Sequence, residues 1–156
     1  FIRALTALDA IIDKARAYAA EQGIPEQDLL DAKLIDDMGN LIAQVQRASD
    51  AAKGCLVRIG DLENVTMEDN ELTFDDVKSR LAKTIAFARS VAPDAVNGRE
   101  DSEVVVKFPN GELKFTAQSY VLGFAIPNFF FHVTTAYDIL RMKGVPIGKR
   151  DYLGGV

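Results

Sequence analysis

The sequence predicts an all-α protein, an up-down bundle of four long helices with a small β-hairpin before the last one. Four long stretches repeat apolar residues at three- and four-residue intervals, which places those residues on one face of a helix. One short stretch, Glu103–Phe115, instead alternates apolar and polar residues and contains Asn110–Gly111, a strong signal of a hairpin turn. Helices that each bury one face pack against one another, so four of them form a bundle around a shared core.

The first half of the chain is predicted to hold two long helices with a short one between them. The first covers Phe1–Glu21, and Gly23 and Pro25 end it. A short helix is expected within Glu26–Leu34. The second long helix covers about Asp37–Ile59, where the apolar spacing approaches a heptad. Since no interdomain linker is visible, we expect the 156 residues to form one domain.

The third long helix is predicted over Phe74–Val91, after an acidic segment at Leu62–Leu72 that we expect to be a solvated loop. Thr73 precedes the helix as an N-cap, and Asp76 occupies the position that completes a capping box. Pro93 lies just beyond the end of the helix, as expected of a residue that cannot continue one. The hairpin follows, and we expect it to lean its apolar face on the bundle because an isolated hairpin is only marginally stable.

The fourth long helix, Ser119–Lys143, is the longest strongly apolar segment and holds the only histidine, His132. A proline inside it removes a backbone donor, so we expect a kink or break near Ala125–Pro127. Three consecutive phenylalanines, Phe129–Phe131, point in three directions on a helix, so at least one ring must leave the central core. The tail, Val145–Val156, is too rich in glycine for a helix.

Composition and charge exclude some classes of function. The formal net charge is −5, which argues against a general nucleic-acid surface, because such a surface needs a basic face. The apolar run of the fourth helix is interrupted by Asn128, His132 and Asp138, so no membrane-spanning segment is predicted. The single cysteine, Cys55, cannot form an internal disulfide and lies on the apolar stripe of the second helix. It is expected to behave as a small buried hydrophobe, and it suits a reducing compartment, so we expect a cytoplasmic protein.

Two motifs carry a family resemblance that covers nearly the whole chain. They are PNFFFHVTTAYDILR at residues 127–141 and GVPIGKRDYLG at residues 144–154, and the hairpin between the third and fourth helices accompanies them. Together they resemble an uncharacterised bacterial domain-of-unknown-function family that is grouped with the DinB/YfiT-like four-helix bundles. The motifs are fairly specific for the family but not for any reaction. The resemblance implies a DinB-like bundle.

The resemblance also bears on metal binding. DinB-like bundles often hold a divalent metal through three histidines, one on the second helix and a His-x-x-x-His pair on the fourth. By that resemblance His132 matches the first member of the pair, Ala136 stands at the second, and Gln44 stands at the second-helix position. Alanine cannot ligate, a neutral amide is a poor ligand for zinc or nickel, and the chain has one histidine. We therefore expect no metal site and no cofactor.

A partly polar pocket around the histidine is the candidate site, since pockets between bundle helices are common places for small molecules. A histidine in such a pocket can act as an acid, a base or a hydrogen-bond donor. The alternative is a core histidine satisfied by a single partner, and both interpretations stay open. The predicted ligand-binding residues are His132, Gln44, Asn128, Phe129, Tyr120 and Tyr137.

Two classes of function follow from these observations, so whether the protein is an enzyme stays open. The first is a metal-degenerate bundle that binds a small apolar or amphipathic ligand around His132, or that acts as a dimeric module. The second is a metal-assisted transferase or hydrolase with His132 in the site. Ala136, in place of a second histidine, favours the first class. The apolar cluster Phe129–Phe131 favours a homodimer, because a ring that leaves the core needs another surface.

Overall fold

The structure is a computed structural model that describes residues 1–155. Its elements, in chain order, are α1 (Ile2–Gln22), α2 (Glu26–Leu30), α3 (Leu41–Gly60), α4 (Phe74–Ser90), a 3₁₀ turn (Pro93–Ala95), β1 (Glu103–Phe108), β2 (Gly111–Thr116), α5 (Ala117–Tyr120), a π-helical turn (Val121–Ala125), α6 (Ile126–Met142) and α7 (Lys149–Tyr152). The predicted helical bundle with a hairpin before the last long helix is confirmed.

The four long helices form the bundle, with α1 and α3 at opposite corners. Each of these two helices packs against both α4 and α6. The apolar faces that the three- and four-residue spacing predicted meet in one buried core. Fully buried members of this core include Leu8, Ile12, Leu41, Leu81, Phe129 and Ile139. None of the described helices is both long enough and apolar enough to cross a membrane.

The second long helix starts later than its apolar repeat predicts. It begins at Leu41 rather than Asp37, because the side chain of Asn40 accepts a hydrogen bond from the backbone N–H of Ala43 at 3.0 Å and so caps the helix. The short helix α2, Glu26–Leu30, lies within the predicted range Glu26–Leu34. The chain between α2 and α3 is therefore a connection without regular structure.

The third helix has the predicted capping box. The backbone N–H of Asp76 donates to the Thr73 hydroxyl at 3.1 Å, and the Thr73 N–H donates to the Asp76 carboxylate at 2.9 Å. Before this cap, the acidic loop is irregular and largely exposed, as predicted, but its end is not solvated. Glu71 is buried against Arg80 of α4, so the loop is fixed to the bundle at that point.

The hairpin pairs β1 with β2 in an antiparallel ladder whose last pair before the turn is Phe108 with Gly111. Gly111 has φ of 147°, a conformation that side-chain-bearing residues rarely adopt, which explains glycine at this position. Val104 and Val106 point into a second buried cluster between the hairpin and the bundle. Its other buried members are Cys55, Ile59, Ala117, Tyr120 and Ala125. The hairpin thus leans on the bundle, as predicted.

The irregularity predicted near Ala125–Pro127 is present as a π-helical turn. The chain is helical from Ala117 to Met142, and within it the N–H of Ile126 donates to the carbonyl of Val121, one residue further back than in an α-helix. Pro127 follows at the start of α6. The wider turn fits a residue that lacks an N–H and clashes with the carbonyl four residues before it.

The tail contains one helical turn, which corrects the prediction that it is too glycine-rich for a helix. The N–H of Gly148 donates to the carboxylate of Asp151 at 2.8 Å, and the other carboxylate oxygen pairs with Lys14 of α1 at 2.6 Å. One aspartate therefore caps α7 and fixes it to α1, which outweighs the local glycine content. Val156, the last residue of the predicted tail, lies outside the described residues.

Candidate functional site

His132 on α6 and Gln44 on α3 face each other across the contact between these helices. The Nδ1 atom of His132 lies 2.8 Å from Oε1 of Gln44, and Nε2 of Gln44 donates to the carbonyl of Gly39 at 2.9 Å. Because the amide nitrogen is committed to Gly39, the amide oxygen faces the imidazole. Nδ1 therefore carries the proton, and Nε2 is the unprotonated ring nitrogen. Among residues 1–155, Nε2 has no hydrogen-bond partner.

The imidazole is held in its neutral form. Burial lowers the pKa of His132 below its ordinary value of 6.5, and the positive charge of Arg47 lowers it further. At neutral pH the ring is thus a donor at Nδ1 and an acceptor at Nε2. It can accept a proton or a hydrogen bond at Nε2 but has no proton to give there.

A cleft of about 280 Å³ lies beside this histidine. One wall is α3, a second is the segment from α5 to α6, and the hairpin closes the third side. Its polar lining consists of Arg47, Asp50, Arg58, Lys107, Tyr120, Asn128 and His132. Apolar atoms of Ala51, Val106, Phe108, Phe124 and Ala125 complete the surface. The cleft therefore combines an aromatic and apolar surface with charged, amide and hydroxyl groups.

The arginine at the Tyr120 end of the cleft is held in place by its neighbours. Nη1 of Arg58 donates to the Tyr120 hydroxyl at 3.1 Å, and its guanidinium carbon lies 5.9 Å from the centre of the Tyr120 ring. A Cβ atom added to Gly54 would lie 2.5 Å from Nη1, so the guanidinium lies where a side chain would otherwise be. Burial raises the pKa of Tyr120 above 10.0, which keeps the phenol neutral.

The charge of the cleft is positive. Within residues 1–155, neither Arg47 nor Arg58 has a carboxylate within 4.0 Å. The one carboxylate on the wall, Asp50, is paired with Arg80 at 3.0 Å and with Lys53 at 3.3 Å. Its charge is thus compensated by cations other than those of the cleft. The remaining field attracts anions, although the whole chain is acidic.

The aromatic wall joins the hairpin to the helix that carries the histidine. Tyr120 and Phe124 stack with ring centres 5.8 Å apart. Phe108 of β1 meets Phe124 edge-on at 6.3 Å, and Phe115 of β2 lies 5.9 Å from the same ring. These contacts fix the hairpin against the helix, so the cleft has a preformed wall.

The predicted site residues separate into two groups. Tyr120, Asn128 and His132 line the cleft, and Gln44 lies behind His132 as its hydrogen-bond partner. These four residues are brought together, and their role in binding a ligand stays a prediction.

Two predicted residues lie away from the cleft. Phe129 is fully buried in the main core, where its ring packs edge-on against Phe1 at 4.8 Å. Tyr137 packs against Tyr152 of the tail at 5.7 Å. Tyr137 follows His132 by five residues, which turns it to another side of α6. Phe129 precedes His132 by three residues and so lies on nearly the same side, but its ring is buried in the main core.

The arginines and the hairpin residues of the cleft were not predicted from the sequence. One signal was available, because Arg47, Ala51, Gly54 and Arg58 repeat at four- and three-residue intervals and so form one stripe of α3. This stripe lies beside the apolar one and carries a cation at each end. It becomes a wall only because the hairpin packs opposite it.

The residues do not fit the metal centre that the DinB resemblance implies. Ala136 is fully buried and offers a methyl group, and both ends of the Gln44 amide are occupied by His132 and Gly39. No group of three or more His, Cys, Asp or Glu side chains suited to a metal ion occurs in the described part of the chain. One ring nitrogen is left where three ligands are needed.

Three larger depressions lack this combination of groups. One, of about 600 Å³, lies between the acidic loop and α4, and its Arg80 is already paired with three carboxylates. Another, of about 410 Å³, lies between α1 and the tail and has no aromatic side chain in its lining. The third, of about 360 Å³, is an almost wholly apolar groove beside Cys55 and Leu122. Burial raises the pKa of Cys55 to about 11, so its thiol is unsuited to nucleophilic chemistry.

Comparison with known proteins agrees with the fold and gives no activity. A family model described as "Domain of unknown function (DUF1993)" matches residues 1–153. Among solved structures, the chain is similar to the crystal structure of a DinB family member protein from Shewanella denitrificans, with a TM-score of 0.92 and 33% identity. That similarity covers 100% of this chain and 88% of the other. No curated protein matches the chain.

Proposed function

The chain belongs to the DUF1993 family, and from this premise we propose that it is a DinB-like bundle without the family-type metal site that binds a small amphipathic ligand beside His132. One observation carries the proposal. The hydrogen bonds from Gln44 to Gly39 and from His132 to Gln44 fix the tautomer of the only histidine and leave Nε2 unpaired on a cleft wall. A ligand hydroxyl, amine or amide can donate a hydrogen bond to that atom.

The lack of a hydrogen-bond partner for Nε2 among residues 1–155 distinguishes His132 from an ordinary core histidine. A core histidine satisfies its polar atoms inside the protein, whereas His132 is only half-buried and has one nitrogen satisfied. The aromatic surface beside it gives a ligand apolar contact, and Asn128 offers a further amide. Binding, rather than metal-assisted turnover, agrees with a wall whose one carboxylate, Asp50, is already paired with Arg80 and Lys53.

NMR of the imidazole tests this proposal directly, because a chain with one histidine gives one pair of ring ¹⁵N signals. We expect a protonated Nδ1 and an unprotonated Nε2 in the free protein. Small molecules that combine a hydroxyl or amine with an apolar body should shift the Nε2 signal. Binding should weaken in His132→Phe and persist in Tyr137→Phe, whose phenol lies outside the cleft.

Two results would count against the proposal. If His132→Phe binds the same molecules with unchanged affinity, His132 is a core side chain. If the purified, tag-free protein carries near-stoichiometric metal that disappears in His132→Ala, the alternative of a metal-assisted transferase or hydrolase gains support instead.

We also propose that the protein forms a homodimer through the outer face of α6. Phe130 and Phe131 are 38% and 55% exposed, although they are adjacent and large. Burying such rings in a second copy removes apolar area from water, and aromatic residues are enriched at interfaces of this kind. This face adjoins the cleft, since Phe131 meets the His132 ring edge-on at 5.2 Å.

A further inference from the structure

We infer that the ligand of this cleft is an amphipathic carboxylate whose charged group binds Arg58 and whose apolar body lies along Phe124 and the hairpin. The inference rests on the proposed function, because it names the class of ligand that would occupy the same cleft. It starts from an uncompensated positive charge in a protein whose formal net charge is −5. Arg58 is an arginine without a carboxylate partner within residues 1–155.

The guanidinium is positioned before any ligand arrives. Its Nη1 donates to Tyr120 at 3.1 Å, and the absence of a side chain at Gly54 gives it room to lie along α3. Of its N–H groups, only that one has a partner in the described residues, so the others can bind an anion. A fixed guanidinium loses less rotamer entropy on binding than a free one.

A carboxylate suits this group better than a phosphate. A single guanidinium binds the two oxygens of a carboxylate through two parallel N–H···O bonds. A phosphate carries more charge and is bound elsewhere by several cations or by backbone N–H groups of a glycine-rich loop or a helix start. The lining contains three cations, of which Arg58 is beside Tyr120, Arg47 acts on His132 and Lys107 belongs to β1. Arg58 is therefore the arginine that a carboxylate would meet beside Tyr120.

The apolar body follows from the rest of the wall. The apolar lining of the cleft includes Ala51, Phe108 and Phe124. Phe108 is 44% exposed, and a bound hydrocarbon chain would cover it. The volume of about 280 Å³ is near the lower end of ~300–1,000 Å³ for small-molecule pockets, so the ligand is small.

The two ends of the cleft are far enough apart that ligand contacts at Arg58 and at His132 can be tested separately. Tyr120, the partner of Arg58, and His132 are twelve positions apart in one helical segment, which corresponds to roughly 18 Å at 1.5 Å per residue. A short carboxylate can reach only Arg58. A longer chain with a terminal hydroxyl can place its carboxylate at Arg58 and its hydroxyl at Nε2 of His132.

The test is a set of binding titrations with ω-hydroxyalkanoates, from 6-hydroxyhexanoate to 12-hydroxydodecanoate, each compared with the uncharged diol of the same length. We expect the best carboxylate to bind about tenfold more tightly than its diol, the effect of one partly exposed charged hydrogen-bonding pair. Arg58→Gln should abolish that preference. Gly54→Ala should reduce it as well, because the new methyl group displaces the guanidinium while the helix stays intact.

Arg89→Gln is the matched control, since this exposed arginine at the end of α4 is away from the cleft. It should leave the preference unchanged. The inference is overturned if the diols bind as tightly as the carboxylates, if Arg58→Gln keeps the preference, or if no member of the series binds at millimolar concentration. Tighter binding of decyl phosphate than of decanoate would also overturn the carboxylate assignment.

Failure of the inference and failure of the proposed function give different results. If binding of the long hydroxy acids depends on Arg58 but not on His132, the anion site stands and the histidine contact is wrong. If the diols bind equally well and depend on His132, the histidine contact stands and the anion site is wrong.

Discussion

Arg80 of α4 and Glu71 of the acidic loop form an ion pair with a nitrogen–oxygen distance of 3.0 Å, although their side chains are only 1% and 7% exposed. The same guanidinium contacts Asp69 at 2.9 Å and Asp50 at 3.0 Å. Asp50 also lies on the wall of the cleft. Arg80 therefore does two things, because it fixes the acidic loop to the bundle and compensates the one carboxylate that would oppose an anion in the cleft.

Removing Arg80 should destabilise the protein strongly. Arg80→Met leaves Glu71 buried with Gln46 as its remaining side-chain partner, and breaking a buried ion pair costs about 3–5 kcal/mol. Urea denaturation measures the change in the free energy of unfolding. Arg16→Met is the control, because the ion pair of Arg16 with Asp75 is exposed and should contribute less than about 1 kcal/mol. Equal effects of the two substitutions would show that burial does not strengthen the Arg80 pair.

The Glu71 carboxylate should make stability depend on acid pH. Burial acts to raise its pKa, but the hydrogen bonds from Gln46 and Arg80 outweigh burial and hold the pKa below 4.5. The folded state therefore binds this proton less readily than the unfolded state. The contribution is complete above about pH 4.5 and is lost as the pH falls through the folded pKa.

Glu71→Gln isolates that contribution, since an amide does not titrate. The difference in unfolding free energy between the wild type and Glu71→Gln should shrink as the pH is lowered from neutral to about pH 3. Denaturant titrations over this range measure it. A difference that stays constant with pH would mean that the carboxylate is not preferentially stabilised in the folded protein.

Features that depend on neighbouring residues could be predicted from the sequence. The Thr73–Asp76 capping box and the turn at Asn110–Gly111 lie where they were predicted, because each is formed within a few positions. The start of α3 was placed too early. The apolar repeat continues before the helix, and the competing cap at Asn40 is recognisable only by its hydrogen bond.

The site depended on distant contacts and was predicted in part. His132 and Gln44 are 88 positions apart, and only the family resemblance suggested that they meet. An exposed arginine such as Arg58 resembles any solvated residue on an amphipathic helix until the hairpin is packed opposite it. Phe129 and Tyr137 were included because they are close to His132 in sequence, yet Phe129 is buried in the main core and Tyr137 packs against the tail.

Because the pKa of His132 is lowered in the folded protein, the protein should be more stable above about pH 6.5 than below it. Its folded pKa is lowered, first by burial and then by Arg47, so the unfolded state takes up this proton more readily. The contribution is complete above about pH 6.5 and is lost as the pH falls from there through the folded pKa. Between about pH 7.5 and 5.5, the free energy of unfolding should decrease more for the wild type than for His132→Phe. Equal decreases would mean that the ring titrates as it does in the unfolded chain.

Cys55 should be unreactive while the protein is folded. Burial raises its pKa to about 11 from 9.0, which lowers the thiolate fraction at about pH 8 roughly a hundredfold. Reaction with a colorimetric disulfide reagent should therefore be slow in buffer and fast in denaturant. Rapid reaction of the folded protein would show that the second cluster opens locally, since the thiol lies within it.

The exposed rings of α6 should control self-association. Light scattering at micromolar concentration should give twice the chain mass of 17.1 kDa for the wild type. Phe130→Ser and Phe131→Ser should each weaken the dimer by about tenfold or more, because truncating a central aromatic residue typically removes more than 1 kcal/mol. Leu72→Ser, at an even more exposed apolar position on the acidic loop, should leave the mass unchanged. A monomeric wild type would contradict the dimer, and insensitivity to both phenylalanine substitutions would place the interface elsewhere, because these two are the exposed aromatic rings of α6.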